Sequence, residues 1–326
     1  MQKYLGGAGL LAAVAAIGWF VTQSFEIEGL ERIKLRSRTE TAAQDDAPSA
    51  VPSALPGGTI RIASFNIQVF GEAKLSKPHV MTRLCDIARK FDVLAIQETR
   101  SVNQDVLPRF VEQINASGRT YDYAVGPRLG RTSSKEQYAF VFDAARIELD
   151  RGSIYTVSDP DDLLHREPLV AGFRVRGPPP EQAFTFTLIN IHTDPDETDT
   201  ELDALDDVFR AVRDDGRGED DIILLGDLNV VDAHLGELGQ VPGIYWLISG
   251  TPTNTRGTKL YDNFLLDPRA TGEFTGRAGV FDMLREFNLS LEQALEVSDH
   301  HPIWAEFSAS EGSVPGRIAV RPDERR

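Results

Sequence analysis

Polar side chains suited to acid–base and metal chemistry recur in this chain at the ends of apolar segments. Asn66 closes IRIASFN, Glu98 closes DVLAIQE and His192 closes FTLINIH. Asp227 and Asn229 follow DIILLG as GDLN, Asp262 stands in YDNFLL, and Asp299 and His300 open SDHHPIWAEF. A residue at a strand end is fixed by the sheet while its tip stays exposed, and ligands gather at such ends in open α/β sheets. Singly, each is more often a turn or surface group; acids, amides and imidazoles recurring in one position predict a pocket. Hard oxygen donors suit Mg²⁺ or Mn²⁺. The single cysteine, Cys85, excludes an intramolecular disulfide and a cysteine-cluster zinc site.

The elements that must carry these residues alternate between strand-like and helix-like. Strands are predicted over Ile60–Asn66, Asp92–Gln97, Tyr138–Phe142, Pro168–Phe173, Phe184–Asn190 and Asp221–Leu225. Helical spacing covers Lys77–Lys90, Val102–Asn115 and Glu197–Val212, the last with its acids assigned to the solvated side. Tyr121–Gly126 and Gln137–Phe142 read as neighbouring antiparallel strands, so the α/β body is expected to contain a mixed sheet. His79, His165, His234 and His301 receive no chemical role, Cys85 is read as a small buried helix residue, and Gly71 and the glycines of GDLN and LGR as turn formers.

The chain has 326 residues and a formal charge of −16. Residues 59–308 carry 25 basic and 41 acidic side chains, so the whole excess lies in the body. Such a charge excludes a protein that coats nucleic acid through surplus Lys and Arg. The densest acidic stretch, Asp194–Asp221, has 13 acids; it reads as a solvated loop and helix face, with a structural Ca²⁺ as the alternative. Ahead of the body, Tyr4–Phe25 is a 22-residue segment without formal charge. That is long enough to span a bilayer as a helix. Residues 1–25 are therefore expected to be an uncleaved membrane anchor that places the body outside the cytoplasm, with a cleaved secretory signal as the alternative. Residues 26–58 read as a polar linker and 309–326 as a flexible tail.

The same residues carry a family likeness. In order along the chain stand FNIQVFGEAKLS (65–76), IQETR (96–100), LGRTSSKEQYAF (129–140), HREPLV (165–170), GDLN (226–229), YDNF (261–264) and SDHHP (298–302). Over residues 59–308 the sequence resembles the endonuclease/exonuclease/phosphatase superfamily, and within it the deoxyribonuclease I branch. The resemblance implies a four-layer α/β sandwich, two packed mixed sheets flanked by helices, and metal-dependent hydrolysis of a phosphodiester. It pairs Glu136 with His192 and Asp262 with His300 as the catalytic acid–base groups, and gives Asp227 and Asn229 the scissile phosphate or water, with a share in metal binding as the alternative. Glu98 and Asp299, with Asn66 beside them, would hold Mg²⁺ or Mn²⁺. Arg100, Arg131, Lys135, Tyr138 and Arg166 would meet DNA. The chain departs from the pattern at Gln68 and Asn263, where the branch has arginines, and it lacks the cysteines of the animal enzymes' disulfides. The implied function is a monomeric, membrane-tethered or exported endonuclease cutting DNA with little sequence preference. Competing readings keep the fold but change the substrate to RNA, abasic DNA, a nucleotide or a phosphorylated lipid, or make the body a non-catalytic binding module.

Overall fold

The computed structural model describes residues 58–131, 135–231 and 234–312. The expected anchor, almost all of the linker and most of the tail lie outside them; among the described residues no helix is long and apolar enough to cross a membrane. The strands are β1 (Thr59–Phe70), β2 (Val93–Thr99), β3 (Tyr121–Val125), β4 (Gln137–Asp143), β5 (Ile147–Thr156), β6 (Leu169–Val175), β7 (Thr185–His192), β8 (Ile222–Asp227), β9 (Tyr245–Trp246), β10 (Asp262–Leu266), β11 (Phe274–Val280) and β12 (Ile303–Ser308). The α-helices are α1 (Glu72–Leu75), α2 (Pro78–Ala88), α3 (Val106–Asn115), α4 (Thr198–Arg213), α5 (Met283–Phe287) and α6 (Leu291–Val297).

Two six-stranded mixed sheets, ordered β11-β12-β1-β2-β4-β3 and β5-β6-β7-β8-β10-β9, form the two inner layers. Their facing sides share one apolar core, to which Ile62, Ala95 and Phe140 come from the first sheet and Phe173, Leu188, Leu225 and Phe264 from the second. On the outer face of the first sheet, Ala63, Phe65 and Ile96 pack with Leu84 of α2 and Phe110 of α3. On the outer face of the second, Ile189, Ile191 and Leu224 pack with Leu202, Leu205 and Phe209 of α4. The four-layer sandwich follows because the central strands are apolar on both sides, and alternate residues must enter different cores.

That period of two also aims the polar residues. Along β1, Ile60 and Ile62 face the inter-sheet core, and steps of two lead on through Ser64 to Asn66. The same count runs from Phe142 and Phe140 through Tyr138 to Glu136, from Leu188 through Asn190 to His192, from Leu225 to Asp227, and from Phe264 back to Asp262. One end of the inter-sheet layer is therefore polar. Pairing brings three of these residues level, His192 opposite Asp227 across the parallel β7–β8 pair and Asp262 opposite Asp227 across β10–β8. Behind them, Gln97 donates to Asn190 at 2.6 Å, and Asn190 donates to the carbonyls of Ile96 and Ala139 at 3.2 and 3.1 Å. These buried amides pin the sheets together directly beneath the polar end.

Three expectations change. The first strand does not stop at Asn66 but continues to Phe70 past a register shift against β2. The acids of α4 are not all solvated: Glu201 and Asp206 are buried, and the Glu201 carboxylate accepts the backbone N–H groups of His165 and Asp194, closing two loops over the helix. Gly226 is not a turn former. It lies inside β8 at φ +151°, where an added Cβ would fall 1.9 Å from the Ile191 carbonyl oxygen. The added Cβ would be fixed by the β8 backbone and the oxygen belongs to the paired β7 backbone, so neither can yield cheaply. Gly226→Ala is expected to cost about 3 kcal/mol or more, seen in a thermal melt as a Tm lower by roughly 6–12 °C. An unchanged melt would show that β7 and β8 can separate without penalty.

Candidate active site

At the polar end of the two sheets opens a cleft of about 370 Å³, lined by Asn66, Glu98, Arg100, His165, Arg166, His192, Asp194, Asp227, Asn229, Tyr261, Asp299 and His300, among others. Two imidazole–carboxylate pairs stand in it. His192 Nδ1 is 2.7 Å from Glu136 Oε1, and His300 Nδ1 is 2.8 Å from Asp262 Oδ2. Both rings turn their other nitrogen toward one atom: Asp227 Oδ2 lies 3.6 Å from His192 Nε2 and 3.5 Å from His300 Nε2. The same oxygen accepts from Asn66 Nδ2 at 2.9 Å, while Asp227 Oδ1 accepts from the Asn229 N–H at 3.0 Å.

The electrostatics follow from burial and pairing. Burial disfavours a charged His192, but Glu136 at its Nδ1 and Asp227 hold the imidazole above the ordinary histidine range. Burial acts on His300 in the same sense, and Asp262 and Asp227 outweigh it, holding this ring well above that range. Burial would raise the Glu136 carboxyl, but His192, Arg166 and Arg100 bring it below the usual carboxylate range. Asp227, also buried, is held low by the two imidazoles and by the hydrogen bonds from Asn66 and Asn229. A carboxylate on Nδ1 fixes the ring and its tautomer and leaves Nε2 to exchange a proton near neutral pH.

Asn66, Glu98 and Asp299 border these pairs. Glu98 sits at φ +61°, uncommon for a glutamate, where β2 changes register against both neighbours. Its carboxylate accepts from Asn66 Nδ2 at 3.2 Å and from the Val69 N–H at 2.9 Å. Asp299 Oδ2 accepts from Gln68 Nε2 at 2.9 Å. Asn66 Oδ1 and Asp299 Oδ1 are buried without a hydrogen-bond partner. Buried polar atoms are nearly always satisfied. Two orphaned oxygens beside a carboxylate make a donor set that fits a hard divalent cation.

The residues expected to meet substrate are placed differently from one another. Arg100 lines the cleft between Glu98 and Glu136, at 3.1 and 3.2 Å. Arg166 lines it too, but is buried, 2.9 Å from Glu136 Oε1 and donating to the His192 carbonyl from Nε and Nη2. Tyr138 is buried, and its hydroxyl accepts the His192 N–H at 2.8 Å, so it positions the imidazole from behind. Arg131 is engaged by Asp162 and Glu197, and Lys135 is exposed; neither is among the cleft-lining residues. Asn263 is buried and exchanges two hydrogen bonds with the Ile248 backbone, so its position serves the fold.

Several residues of the site were not legible as chemistry. His165, given no role above, lines the cleft with Nδ1 3.5 Å from Asp194 Oδ2. Thr253 donates to Asp262 Oδ2 at 2.6 Å, and Ser298 donates to the Asn66 carbonyl at 2.7 Å. Gln68 is visible only as a departure from the pattern, yet it orients Asp299. His79, His234 and His301 are not among the residues lining the cleft. His79 is exposed beside Glu296, and His301 is buried with its Nδ1 accepting from the Met283 N–H.

Comparison with known proteins bears on the family and the fold. The sequence model of the Endonuclease/Exonuclease/phosphatase family matches residues 63–300. Deoxyribonuclease gamma of Rattus norvegicus is 30% identical over 279 residues, covering 80% of this chain and 89% of that protein. Deoxyribonuclease-1-like 1 of Homo sapiens is 31% identical over 263 residues, covering 77% of this chain and 85% of its own length. Among solved structures, D. rerio TDP2 complexed with single strand DNA product aligns with a TM-score of 0.54 at 16% identity, over 76% of this chain and 98% of that one. A family protein from Bacteroides thetaiotaomicron aligns with a TM-score of 0.52 at 17% identity, over 78% and 99%. These structural likenesses speak to the fold.

Proposed function

This chain belongs to the Endonuclease/Exonuclease/phosphatase family, and from that premise we propose that it is a divalent-metal-dependent endonuclease that hydrolyses DNA with little sequence preference. The observation that carries the reading is the convergence of both imidazole–carboxylate pairs on Asp227 Oδ2. A reaction that takes a proton from water and gives one to a leaving oxygen needs two such groups around one phosphorus. The relatives named as deoxyribonucleases support DNA as the substrate. Arg100 and Arg166 are tied to Glu136, so they position the catalytic groups rather than read base edges.

In this mechanism one imidazole Nε2 accepts a proton from the attacking water as the new P–O bond forms. The other, protonated, gives its Nε2 proton to the leaving oxygen as the scissile P–O bond breaks. Glu136 and Asp262 stabilise whichever ring carries the charge, and Asp227 and Asn229 orient water and phosphate. A divalent ion held by Glu98, Asp299 and Asn66 would supply charge neutralisation on the phosphoryl oxygens. Glu98→Gln is accordingly expected to raise the Mg²⁺ concentration for half-maximal rate at least tenfold, read from a Mg²⁺ titration of the nicking rate. An unchanged midpoint would remove Glu98 from the metal set.

The test of the reading presents the purified full-length protein with supercoiled plasmid, RNA and phosphoinositide vesicles, each with Mg²⁺ or EDTA. Plasmid nicking that needs the metal and vanishes in His192→Ala supports it; turnover of RNA or lipid with the plasmid intact overturns it. The reading extends to a monomeric catalytic domain tethered through residues 1–25 and displayed outside the cytoplasm. Its support is the uncharged length of Tyr4–Phe25. Fractionation of cells expressing the whole chain, with protease added outside, tests it.

A further inference from the structure

Asp221, the residue before β8, is fully buried, and neither of its carboxylate oxygens has a hydrogen-bond partner. Glu273, which precedes β11, is 2% exposed, and its Oε2 is also unpartnered. Glu311, just beyond β12, completes a set in which one oxygen from each residue lies within 4.8 Å of the others. Glu219 and Asp220 form a second such set with Asp221, again with one oxygen from each within 4.8 Å of the others. Among the described residues, neither Asp221 nor Glu273 forms an ion pair with Lys, Arg or His. Backbone fixes one oxygen of each neighbour: Glu273 Oε1 accepts the Gly312 N–H, Glu311 Oε2 the Thr185 N–H at 3.2 Å, and Glu219 Oε1 the Asp221 N–H at 2.9 Å.

We propose that Asp221, Glu273 and Glu311, with Glu219 beside them, form a structural Ca²⁺ site separate from the catalytic cleft. Buried carboxylates without a counter-charge are costly and must take up either a cation or a proton. Oxygens around one Ca²⁺ at about 2.3–2.6 Å lie no more than roughly 5 Å apart, the spacing found here. The ligands are mostly carboxylates set irregularly in loops, which suits Ca²⁺; Mg²⁺ demands near-octahedral geometry and keeps its water. Without the ion, burial and the nearby Glu273, Glu219 and Glu311 push the Asp221 carboxyl up to about 10.

The site lies at the other end of β8 from Asp227, a distance on the order of 20 Å for a strand of this length. It would clip together the loop entering β8, the segment entering β11 and the chain leaving β12. The Asp194–Asp221 stretch would thus contribute to a cation site through its last residues, Glu219 and Asp221, not through the surface of α4. Independence from the cleft makes the proposal separable from the catalytic reading.

The experiment is a thermal melt of the full-length, metal-stripped protein against added CaCl₂. Wild type and Glu98→Gln are expected to gain about 5–10 °C in Tm at Ca²⁺ near a hundred times its Kd. Asp221→Asn and Glu273→Gln should lose that gain and melt higher than wild type without metal, because each removes a buried carboxyl that must otherwise take up a proton or face its acidic neighbours. Equilibrium dialysis should show one Ca²⁺ retained by Glu98→Gln and lost from Glu273→Gln, which keeps the test decisive should one variant fold poorly. Absence of a Ca²⁺-dependent shift in wild type, or its persistence in both cluster variants, would overturn the proposal. So would an equal shift from Mg²⁺ alone, or stabilisation by acidification with none from Ca²⁺, which would assign the cluster to a shared proton.

Discussion

Alanine at His192 is expected to lower the plasmid-nicking rate by about 10³-fold, alanine at His300 by a similar factor, and the double variant by little more than either. The two rings serve one displacement, one taking a proton and one giving it, so losing either already removes the concerted path. The carboxylate partners yield a sharper result. Glu136 helps hold His192 above the ordinary histidine range, so Glu136→Gln must lower that ring's pKa. Whichever limb of the pH–rate profile His192 sets then moves to lower pH. If His192 is the base, the acid limb moves and the remaining activity extends into more acidic buffer. If it is the acid, the alkaline limb retreats instead. Asp262→Asn makes the same demand of His300, whose pKa Asp262 raises. Profiles from about pH 5 to 9, within which histidines titrate, therefore assign the two roles as well as test them. Movement of neither limb would show that the pairs do not titrate in the reaction.

The groups in that experiment were legible because strand periodicity makes them so. Asn66, Glu136, His192, Asp227 and Asp262 each continue, in steps of two, a run of residues facing the inter-sheet core. A polar residue in such a register must face the same layer, and the sequence already contains that count. What periodicity cannot supply is which sheet faces which. The pairing of Glu136 on the first sheet with His192 on the second came from resemblance, and the Gln97–Asn190 contact that locks the two sheets beneath it came from the structure alone. Tyr138 and Arg166 look like substrate contacts in a linear motif, since a motif records identity and not burial. Both turn out to hold the His192 backbone, Tyr138 at its N–H and Arg166 at its carbonyl.

Other misses have equally physical causes. β5 and β11 escaped prediction because they border their sheets and much of each faces solvent, which leaves little apolar alternation to read. The short helices α5 and α6 announce themselves through caps rather than periodicity. Asp282 accepts from the N–H groups of Leu284 and Arg285, and Ser290 with Gln293 forms a reciprocal capping box. Gly226 was visible as a glycine in GDLN, but the carbonyl it must admit belongs to Ile191, 35 positions earlier in the chain. No local reading reaches that far.

Asp227→Asn should be the most damaging conservative change in the protein, with a rate loss of about 10³–10⁴-fold, and added Mg²⁺ should not rescue it. Asparagine matches aspartate in shape, so the pairing of β7, β8 and β10 has no steric reason to fail. Its hydrogen bonding does not match. With the amide nitrogen in place of Oδ2, a donor confronts the Asn66 Nδ2 donor, 2.9 Å from that position. With the amide reversed, the nitrogen meets the Asn229 N–H, 3.0 Å from Oδ1. Either orientation sets donor against donor in a buried place, a cost that no rearrangement of the side chain removes. The lost charge matters more, because both Nε2 atoms lean on that one oxygen and both imidazoles are held above their ordinary range partly by it. Asp227→Asn should therefore shift both limbs of the pH profile to lower pH, whereas Glu136→Gln or Asp262→Asn moves one. Single-turnover nicking measured across a Mg²⁺ titration separates this role from metal binding. A Glu98→Gln enzyme should recover as Mg²⁺ rises, and Asp227→Asn should stay flat. Recovery of Asp227→Asn to within about tenfold of wild type, the scale of a displaced metal ligand, would move Asp227 from its place between the two imidazoles to the metal site.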